Sequence, residues 1–301
     1  MVSLRERSFS PIRELGIGDP DYPPLLHAIH DPPALVYARG SDVRLLCEPV
    51  VAIVGSRRAT DHGRCVAAEI ASFLAGRGVV VASGMAYGID AAAHRGALQG
   101  GGQTIAVWAC GLDVIYPPSH AELASRIEES GLVLSEFPPG TEPRPEFFPQ
   151  RNRIISGLSI ATIIVEAAEK SGSLITARLA LEQGREVMAV PGRAGEVNSR
   201  GTNRLIRDGA ALVESGSDVL EIIERWLPVG PGAKMTGLLG IDVDKDTPLL
   251  GAMKGAGAVC VDWLVGQTKL CASEILEALT RLILAGQVVE LPGRRFRLKG
   301  S

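Results

Sequence analysis

Six apolar runs of strand length recur between residues 50 and 190, at 50–54, 79–82, 104–108, 132–134, 160–165 and 186–190. Most are separated by stretches with helical spacing. After the first run, Thr60 or Asp61 is placed to cap a helix, and Val66, Ile70, Phe73 and Leu74 fall at i, i+4, i+7 and i+8. Gly76 and Gly78 then stop it. The second run opens into residues 83–90 and an alanine-rich helix to about Gln99. Continuous rather than alternating apolar strands are buried on both faces. Strands of that kind, joined by helices, form βαβ units and a parallel sheet covered on both sides. The fold class is therefore α/β.

The pattern is weaker at both ends. Residues 1–20 carry little periodicity. Residues 22–33 are proline-rich, with Leu25, Leu26 and Ile29 suited to packing on the next domain, and Leu35-Val36-Tyr37 reads as a short strand. Residues 1–33 are thus an N-terminal segment and 34–227 the main domain. Gly and Pro dominate from 228, so 228–246 reads as a linker. Residues 247–301 form a second, small unit. Helices are expected at 249–253 and 259–265. A longer one, capped by Ser273, has Ile275, Leu279, Leu282 and Ile283 on one face and stops at Gly286. Strands at 287–291 and 295–298 flank Pro292-Gly293. Three helices followed by a hairpin is the order of a winged helix.

Several function classes lack support. The net charge of −3 excludes a chain coated in basic residues, though not a local basic groove. The five cysteines are scattered, with no C-x-x-C pair, which fits a reducing cytoplasm better than a disulfide framework or zinc site. The five histidines show no metal-binding spacing. Arg5, Glu6 and Arg7 precede any apolar run, so no signal peptide is evident, and the longest uncharged run, 96–112, is too short and polar to span a bilayer. Neither G-x-G-x-x-G nor G-x-x-x-x-G-K-[ST] occurs, so no nicotinamide or ATP cofactor is expected. Ser171 and Ser173 lack a nucleophile elbow. Asp90 could act as a base or as a cap, and Glu136 and Glu166 could pair or bind backbone N–H groups. No nucleophile, metal cluster or general-base constellation stands out.

What remains is a set of Gly- and Ser-rich loops. In open parallel sheets, ligands bind past the carboxyl ends of the strands. The loops there carry Gly55-Ser56-Arg57, Ser83-Gly84, Glu166 with Ser171-Gly172-Ser173, and Arg200 to Asn203. Residues 144–153 hold three arginines against one glutamate, a net of +2, and residues 192–207 four against one, a net of +3. The most concentrated stretch is 147–157: Phe147 and Phe148, then Pro149 in a first helical turn, then Gln150, Arg151, Asn152 and Arg153. Helix N-termini and arginine forks both suit phosphate, and aromatic faces suit bases. Either arginine could instead hold Glu136 or Glu166. Phe148 is expected in the core and Phe147 as the exposed ring. Asn152 could hold the loop or touch a ligand.

These loops resemble the DprA/Smf family of bacterial DNA-processing proteins. The matching stretches run in order: Val54 to Arg57, Ser83 to Asp90, Gly111 to Pro117, Phe148 to Ser159, Glu166-Ala167 with Ser171 to Ala177, Gly184 to Gly192, and Gly201 to Ile206. They cover about residues 20–225. The resemblance implies an extended Rossmann-like parallel sheet with a small C-terminal winged-helix-like domain, and no enzymatic activity. It implies binding of single-stranded DNA without base specificity, in the cytoplasm. It further implies loading of a RecA-type recombinase during DNA uptake and natural transformation, action as a homodimer, and contact with single-strand-binding protein. The implied DNA contacts are Gly55, Ser56, Arg57, Ser83, Gly84, Phe147, Gln150, Arg151, Asn152, Arg153, Ser171, Gly172, Ser173, Arg200 and Asn203. The helical SAM-like region that many members carry at the N-terminus is reduced or missing here.

Two alternatives stay open. Phosphoribohydrolases use the same sheet edge on nucleotides, but carry P-G-G-x-G-T-x-x-E where this chain has the loop 166–176 without a double glycine. The winged unit could act as a protein-contact scaffold. Its third helix has Glu274 and Glu277 against Arg281, a poor composition for reading a DNA groove, although Arg294, Arg295, Arg297 and Lys299 are basic.

Overall fold

A computed structural model describes residues 11–227 and, beyond them, 249, 251–253, 259–268, 270–271, 274–276, 278–279, 282, 288–291 and 295–298. The linker at 228–246, Ser273, Arg281, Gly286, Pro292-Gly293, Arg294 and Lys299 lie outside the described residues, as do residues 1–10. The chain divides into two compact units between Trp226 and Leu227.

The first unit is built on a nine-stranded sheet. In chain order its elements are β1 (Arg13–Gly16), α1 (Pro24–His27), β2 (Leu35–Gly40), β3 (Val50–Gly55), α2 (Asp61–Ala75), β4 (Val80–Ser83), α3 (Ile89–Gln99), β5 (Thr104–Val107), α4 (Ala121–Ser130) and β6 (Leu132–Ser135). Then follow α5 (Phe147–Gly157), β7 (Ala161–Val165), α6 (Gly172–Glu182), β8 (Glu186–Ala189), α7 (Arg200–Arg207), β9 (Ala211–Leu212) and α8 (Gly216–Ile223). The spatial order is β1-β2-β6-β5-β4-β3-β7-β8-β9. All pairs from β6 to β9 are parallel, as the apolar runs require. β2 pairs antiparallel with β6, and β1 antiparallel with β2.

The β1 strand is a departure from the weak pattern of residues 1–20. Four residues, of which only Leu15 is fully buried, give too short a signal to read. Their pairing is supplied by β2, and Tyr22, Leu26 and Ile29 join the same core. Residues 13–33 therefore pack within the first unit.

Successive strand residues go to opposite faces. Val50, Ala52 and Val54, with Ile105, Val107, Leu132 and Leu134, share one core with Ile154 and Ile155 of α5, Leu158 just past its end, and Ala177 and Ala180 of α6. On the other face, Ala106, Trp108 and Val133 pack with Leu123, Ala124 and Ile127 of α4. Thr60 caps α2, its hydroxyl accepting from Gly63 N at 3.0 Å. α2 and α3 touch closely at Gly96, where an added Cβ would stand 2.2 Å from the Ala68 carbonyl.

In the second unit, residues 259–265 are not all helical as expected. Val259–Cys260 form a strand, β10, and the helix α9 spans Val261–Gln267. β-branched Val259 pairs with Phe296 in a three-stranded sheet ordered β10-β12-β11, where β11 is Val288–Leu291 and β12 is Arg295–Leu298. Leu249, Met253, Leu264, Ile275, Leu279 and Leu282 make its core with Phe296.

One buried titratable group sets a pH dependence. His94 on α3 is fully buried, its Nδ1 2.7 Å from Thr104 Oγ1. Thr104 spends its single hydroxyl hydrogen on the Val81 carbonyl at 2.6 Å. It must therefore accept from Nδ1–H, leaving Nε2 unprotonated, and Nε2 has no partner. A second proton would sit on a cation in an apolar site, so burial pushes the His94 pKa down to about 3. The unfolded chain binds that proton below pH 6.5 and the folded chain does not. Stability from this group is thus complete above pH 6.5 and falls as pH drops toward 3. His94→Phe should flatten that part of the profile, by at most about 1.4 kcal/mol per pH unit. Urea denaturation of both proteins across the range checks it, and parallel profiles would refute the assignment.

Candidate functional site

The order of the strands reverses between β3 and β7, with β4, β5 and β6 on one side of β3 and β7, β8 and β9 on the other. Such a crevice is where open α/β sheets hold ligands. Here the two strands approach so closely that a Cβ at Gly55 would stand 1.8 Å from the Val165 carbonyl. The loops beyond are stitched together by Glu166, a non-glycine residue with φ of +55°. Its carbonyl accepts from Ser56 N at 2.8 Å. Its carboxylate accepts from Thr60 N at 2.9 Å and from the Thr60 hydroxyl. Asn198 Nδ2 reaches the same carboxylate at 3.4 Å and the Arg58 carbonyl at 3.0 Å. Glu166 is thus an anchor for backbone and hydroxyl donors, and it is not paired with Glu136.

On one side of this anchor lies an open cleft of about 980 Å³. Gly55, Ser56, Arg57 and Arg58 form one wall, and Lys170, Ser171, Gly172 and Ser173 another. Ser171 caps α6, its hydroxyl accepting from Ser173 N at 3.3 Å, so the α6 N-terminus with its partial positive charge opens on the cleft. The third wall is α5. Phe148, Arg151, Asn152 and Ile155, at i, i+3, i+4 and i+7, give it one cleft-lining face. The lining holds four cations, Arg57, Arg58, Arg151 and Lys170, against one carboxylate, Asp90. Burial pushes the Asp90 pKa up, and Arg151 opposes that rise.

The arginines of α5 are not displayed as expected. Arg151 is 3% exposed. Its Nη1 donates to the Gly84 carbonyl at 2.6 Å and to the Val107 carbonyl, tying the ends of β4 and β5 to α5. Gly84 has no Cβ because one would stand 2.7 Å from that guanidinium. Burial lowers the Arg151 pKa to about 10. Both carbonyl bonds use Nη1, so Arg151 is a supporting group of the cleft wall, while Nε lies 3.4 Å from Asn152 Oδ1. Arg153 points elsewhere, pairing with Glu136 and, at 3.3 Å, with Asp31. Two residues beyond Arg151, it has turned about 200° around the helix.

The phenylalanines depart from their expected roles, since both rings are half-buried and Phe148 is not in the core. Phe147 stacks on Phe137, centroids 4.3 Å apart, outside the cleft lining. Phe148 lines the cleft, 5.7 Å from the Tyr116 ring and 5.0 Å from the Arg57 guanidinium. Tyr116 is 42% exposed. Arg57 and Arg58 are exposed and have no carboxylate partner among the described residues. Ser83 is fully buried, donating to the Ile53 carbonyl at 2.6 Å. Asn203 brackets the Gly192 backbone, at 3.1 Å to its N and 2.8 Å to its O. Gln150 and Arg200 are exposed but outside the cleft lining. Asn152 lines it, its Nδ2 3.5 Å from the Gly172 carbonyl.

The structure thus brings together Gly55, Ser56, Arg57, Arg151, Asn152, Ser171, Gly172 and Ser173 of the expected set, and sets aside Ser83, Phe147, Gln150, Arg153, Arg200 and Asn203. Gly84 lies just behind, in a small side pocket with Trp108 and Tyr116. Lys170, Arg58, Tyr116 and Phe148 line the cleft although they are not among the expected site residues. Lys170 was legible as the cation beside the Ser-Gly-Ser turn. Among the described residues no group of three His, Cys, Asp or Glu side chains is placed to hold a metal, and no helix is long and apolar enough to cross a membrane.

Replacing Arg151 by Met should leave two buried carbonyls without donors and Asp90 without its nearby cation. The expected loss is about 3–5 kcal/mol of stability by urea denaturation. Arg57→Ala, at an exposed position, should cost less than about 0.5 kcal/mol. Equal losses for the two would contradict the division between supporting and presented arginine.

Residues 13–224 match the family model for DNA recombination-mediator protein A, and residues 242–294 match the DprA winged helix domain. Protein Smf of Escherichia coli K12 is 42% identical over 282 residues, which is 92% of this chain and 75% of that protein. The X-ray structure of DNA processing protein A from Streptococcus pneumoniae superposes with a TM-score of 0.68 at 45% identity, covering 71% of this chain and 75% of that one. A structure of the Helicobacter pylori protein, described for its single-stranded DNA binding mode, gives 0.65 at 33% identity over 72% of this chain and 97% of that one. The chain belongs to the DprA/Smf family of DNA recombination-mediator proteins.

Proposed function

We propose that this chain binds single-stranded DNA in the cleft beside Glu166, without base specificity, and delivers it to a RecA-type recombinase. The observation that carries this reading is the cleft lining: four cations and a helix N-terminus against one buried carboxylate, with Tyr116 and Phe148 beside them. Arg57, Arg58 and Lys170 hold phosphates, and the α6 N–H groups add partial positive charge. The ring of Tyr116 offers a face to a base, and base–aromatic stacking contributes about 1–3 kcal/mol per base whatever the base. A local field of this kind coexists with a chain of net charge −3 because screening confines it to the cleft.

The remaining parts of the proposal follow from the family and not from the cleft. The protein acts in the cytoplasm as a homodimer during DNA uptake and natural transformation, beside single-strand-binding protein. The division into a main domain over 34–227, a linker over 228–246 and a winged unit over 247–301 fits a DNA-holding part and a partner-contacting part. Arg295 and Arg297 of β12 are exposed on the winged unit.

Fluorescence anisotropy with labelled oligo-dT tests the reading. Binding should weaken steeply with salt, and oligo-dA and oligo-dC should bind within a few-fold of oligo-dT. Arg57→Ala and Lys170→Ala should each weaken binding roughly tenfold and lower the salt slope by about 0.7. Wild-type affinity in both variants would place the strand elsewhere. Release of free base from nucleoside monophosphates would support a phosphoribohydrolase instead.

A further inference from the structure

A second cavity, of about 600 Å³, is lined by Glu166 itself and has no lining residue in common with the basic cleft. Its walls come from the first turns of α2, the end of β7, and the chain from Val190 to Thr202. Pro191, Gly192 and Thr202 belong to the stretches that carry the family resemblance, yet none of them lines the cleft. Three hydroxyls line this cavity, and two are committed. Thr202 gives its hydrogen to the Ser199 carbonyl at 3.2 Å, and Thr60 gives its own to Glu166. Ser199 stands at the N-cap of α7, where a serine hydroxyl ordinarily accepts from a backbone N–H of the first turn. It makes no such bond. The residue is 6% exposed, and its hydroxyl has no hydrogen-bond partner among the described residues. A Cβ at Gly192 would stand 2.1 Å from Ser199 Oγ, so the bare backbone of Gly192 leaves the hydroxyl its room at the cavity wall. Asn203 holds Gly192 there through both backbone atoms, at 3.1 and 2.8 Å. A buried hydroxyl kept free in this way costs stability unless something in the cavity bonds it.

We propose that this cavity is a second binding site, and that its ligand is an uncharged nucleoside. The size fits, since small-molecule sites run from about 300 to 1,000 Å³. The charge balance is the reverse of the cleft's. Arg193 is the one arginine or lysine of the lining, against the carboxylates of Glu166 and Glu196, and it already lies 3.8 Å from Glu196. A phosphate there would meet two carboxylates, so nucleotides and nucleic acid are disfavoured. Val66, Val165, Val190 and Pro191 supply an apolar wall. The ligand therefore needs a flat apolar body, hydroxyls to donate to a carboxylate, and no negative charge, and a nucleoside has all three. The base lies against the valines, with the Ser199 hydroxyl on its polar edge. The ribose hydroxyls donate to Glu196, because the Glu166 carboxylate is already occupied by Thr60 and Asn198. This site stands whether or not the cleft holds a DNA strand.

Isothermal titration calorimetry of the full chain with adenosine tests the proposal, alone and with oligo-dT at saturation. Adenosine should bind with the same affinity in both conditions. Ser199→Ala should weaken it roughly fivefold, the loss expected of one neutral hydrogen bond. Val66→Phe, which fills the cavity from its apolar wall, should abolish it. Adenosine 5′-monophosphate, measured with oligo-dT present, should bind at least roughly tenfold more weakly than adenosine, because its phosphate meets Glu166 and Glu196. Neither substituted residue lines the cleft, so both variants should bind oligo-dT like wild type. Melting temperatures check the fold, and Ser199→Ala carries the test if Val66→Phe melts early. No binding of adenosine by the wild type, or wild-type affinity in Ser199→Ala, overturns the proposal. Loss of adenosine binding on addition of oligo-dT places the nucleoside in the cleft and also overturns it. A monophosphate that binds as tightly as adenosine overturns the uncharged class. Adenosine binding that responds to Ser199→Ala while oligo-dT fails to bind supports this site and removes only the reading of the cleft.

Discussion

The site depends on one buried guanidinium. Arg151 reaches from α5 under the sheet edge and binds the carbonyls of Gly84 and Val107, at the ends of two adjacent strands. A buried carbonyl at a strand end costs free energy if it is left unpaired. A buried cation likewise needs several acceptors and a nearby anion, and Asp90 supplies the anion. Each group is tolerable only because the others are present. The consequence for the surface is geometric. With Arg151 locked, α5 can rotate about its axis very little, and Phe148, three residues before it, and Asn152, one residue after it, stay aimed at the cleft.

The opposite wall is fixed by an equally local device. Glu166 takes backbone and hydroxyl donors from the loop after β3, while Asn198 ties the following loop to Arg58. The left-handed backbone at Glu166 costs of order 1–3 kcal/mol for a residue with a Cβ, and the bonds to Ser56 and Thr60 offset it. Rigid walls suit a non-specific binder. The strand, a flexible polymer, supplies the adaptation, and the backbone that carries the exposed cations needs no rearrangement on binding.

The fold was largely legible because its signal is long and redundant. Six apolar runs and a capped helix at Thr60 fix a parallel sheet, and the loops after those runs must gather at one edge. The short pieces were not legible. β1 holds four residues with one fully buried, and its antiparallel pairing is decided by β2 rather than by its own composition. The Val259–Cys260 strand was hidden in the same way, since a two-residue strand has no period. For the site, sequence found the loops but misjudged several side chains. Arg151 and Arg153 look alike in one dimension. What separates them is a cavity at Gly84 for the first and a carboxylate at Glu136 for the second, and both come from distant segments. Phe148 was expected in the core and lines the cleft instead, because the helix phase, not the residue type, decides which ring meets it.

The central claim is that a DNA strand lies between α5 and the loops after β3 and β7. Ultraviolet crosslinking of oligo-dT to the full chain, followed by peptide mass spectrometry, addresses it directly. Crosslinks should concentrate on Tyr116 and Phe148, which lie beside the exposed Arg57, and should disappear when unlabelled oligo-dT competes. Crosslinks confined to the winged unit, or to the sheet edge at β1 and β2, would contradict the account.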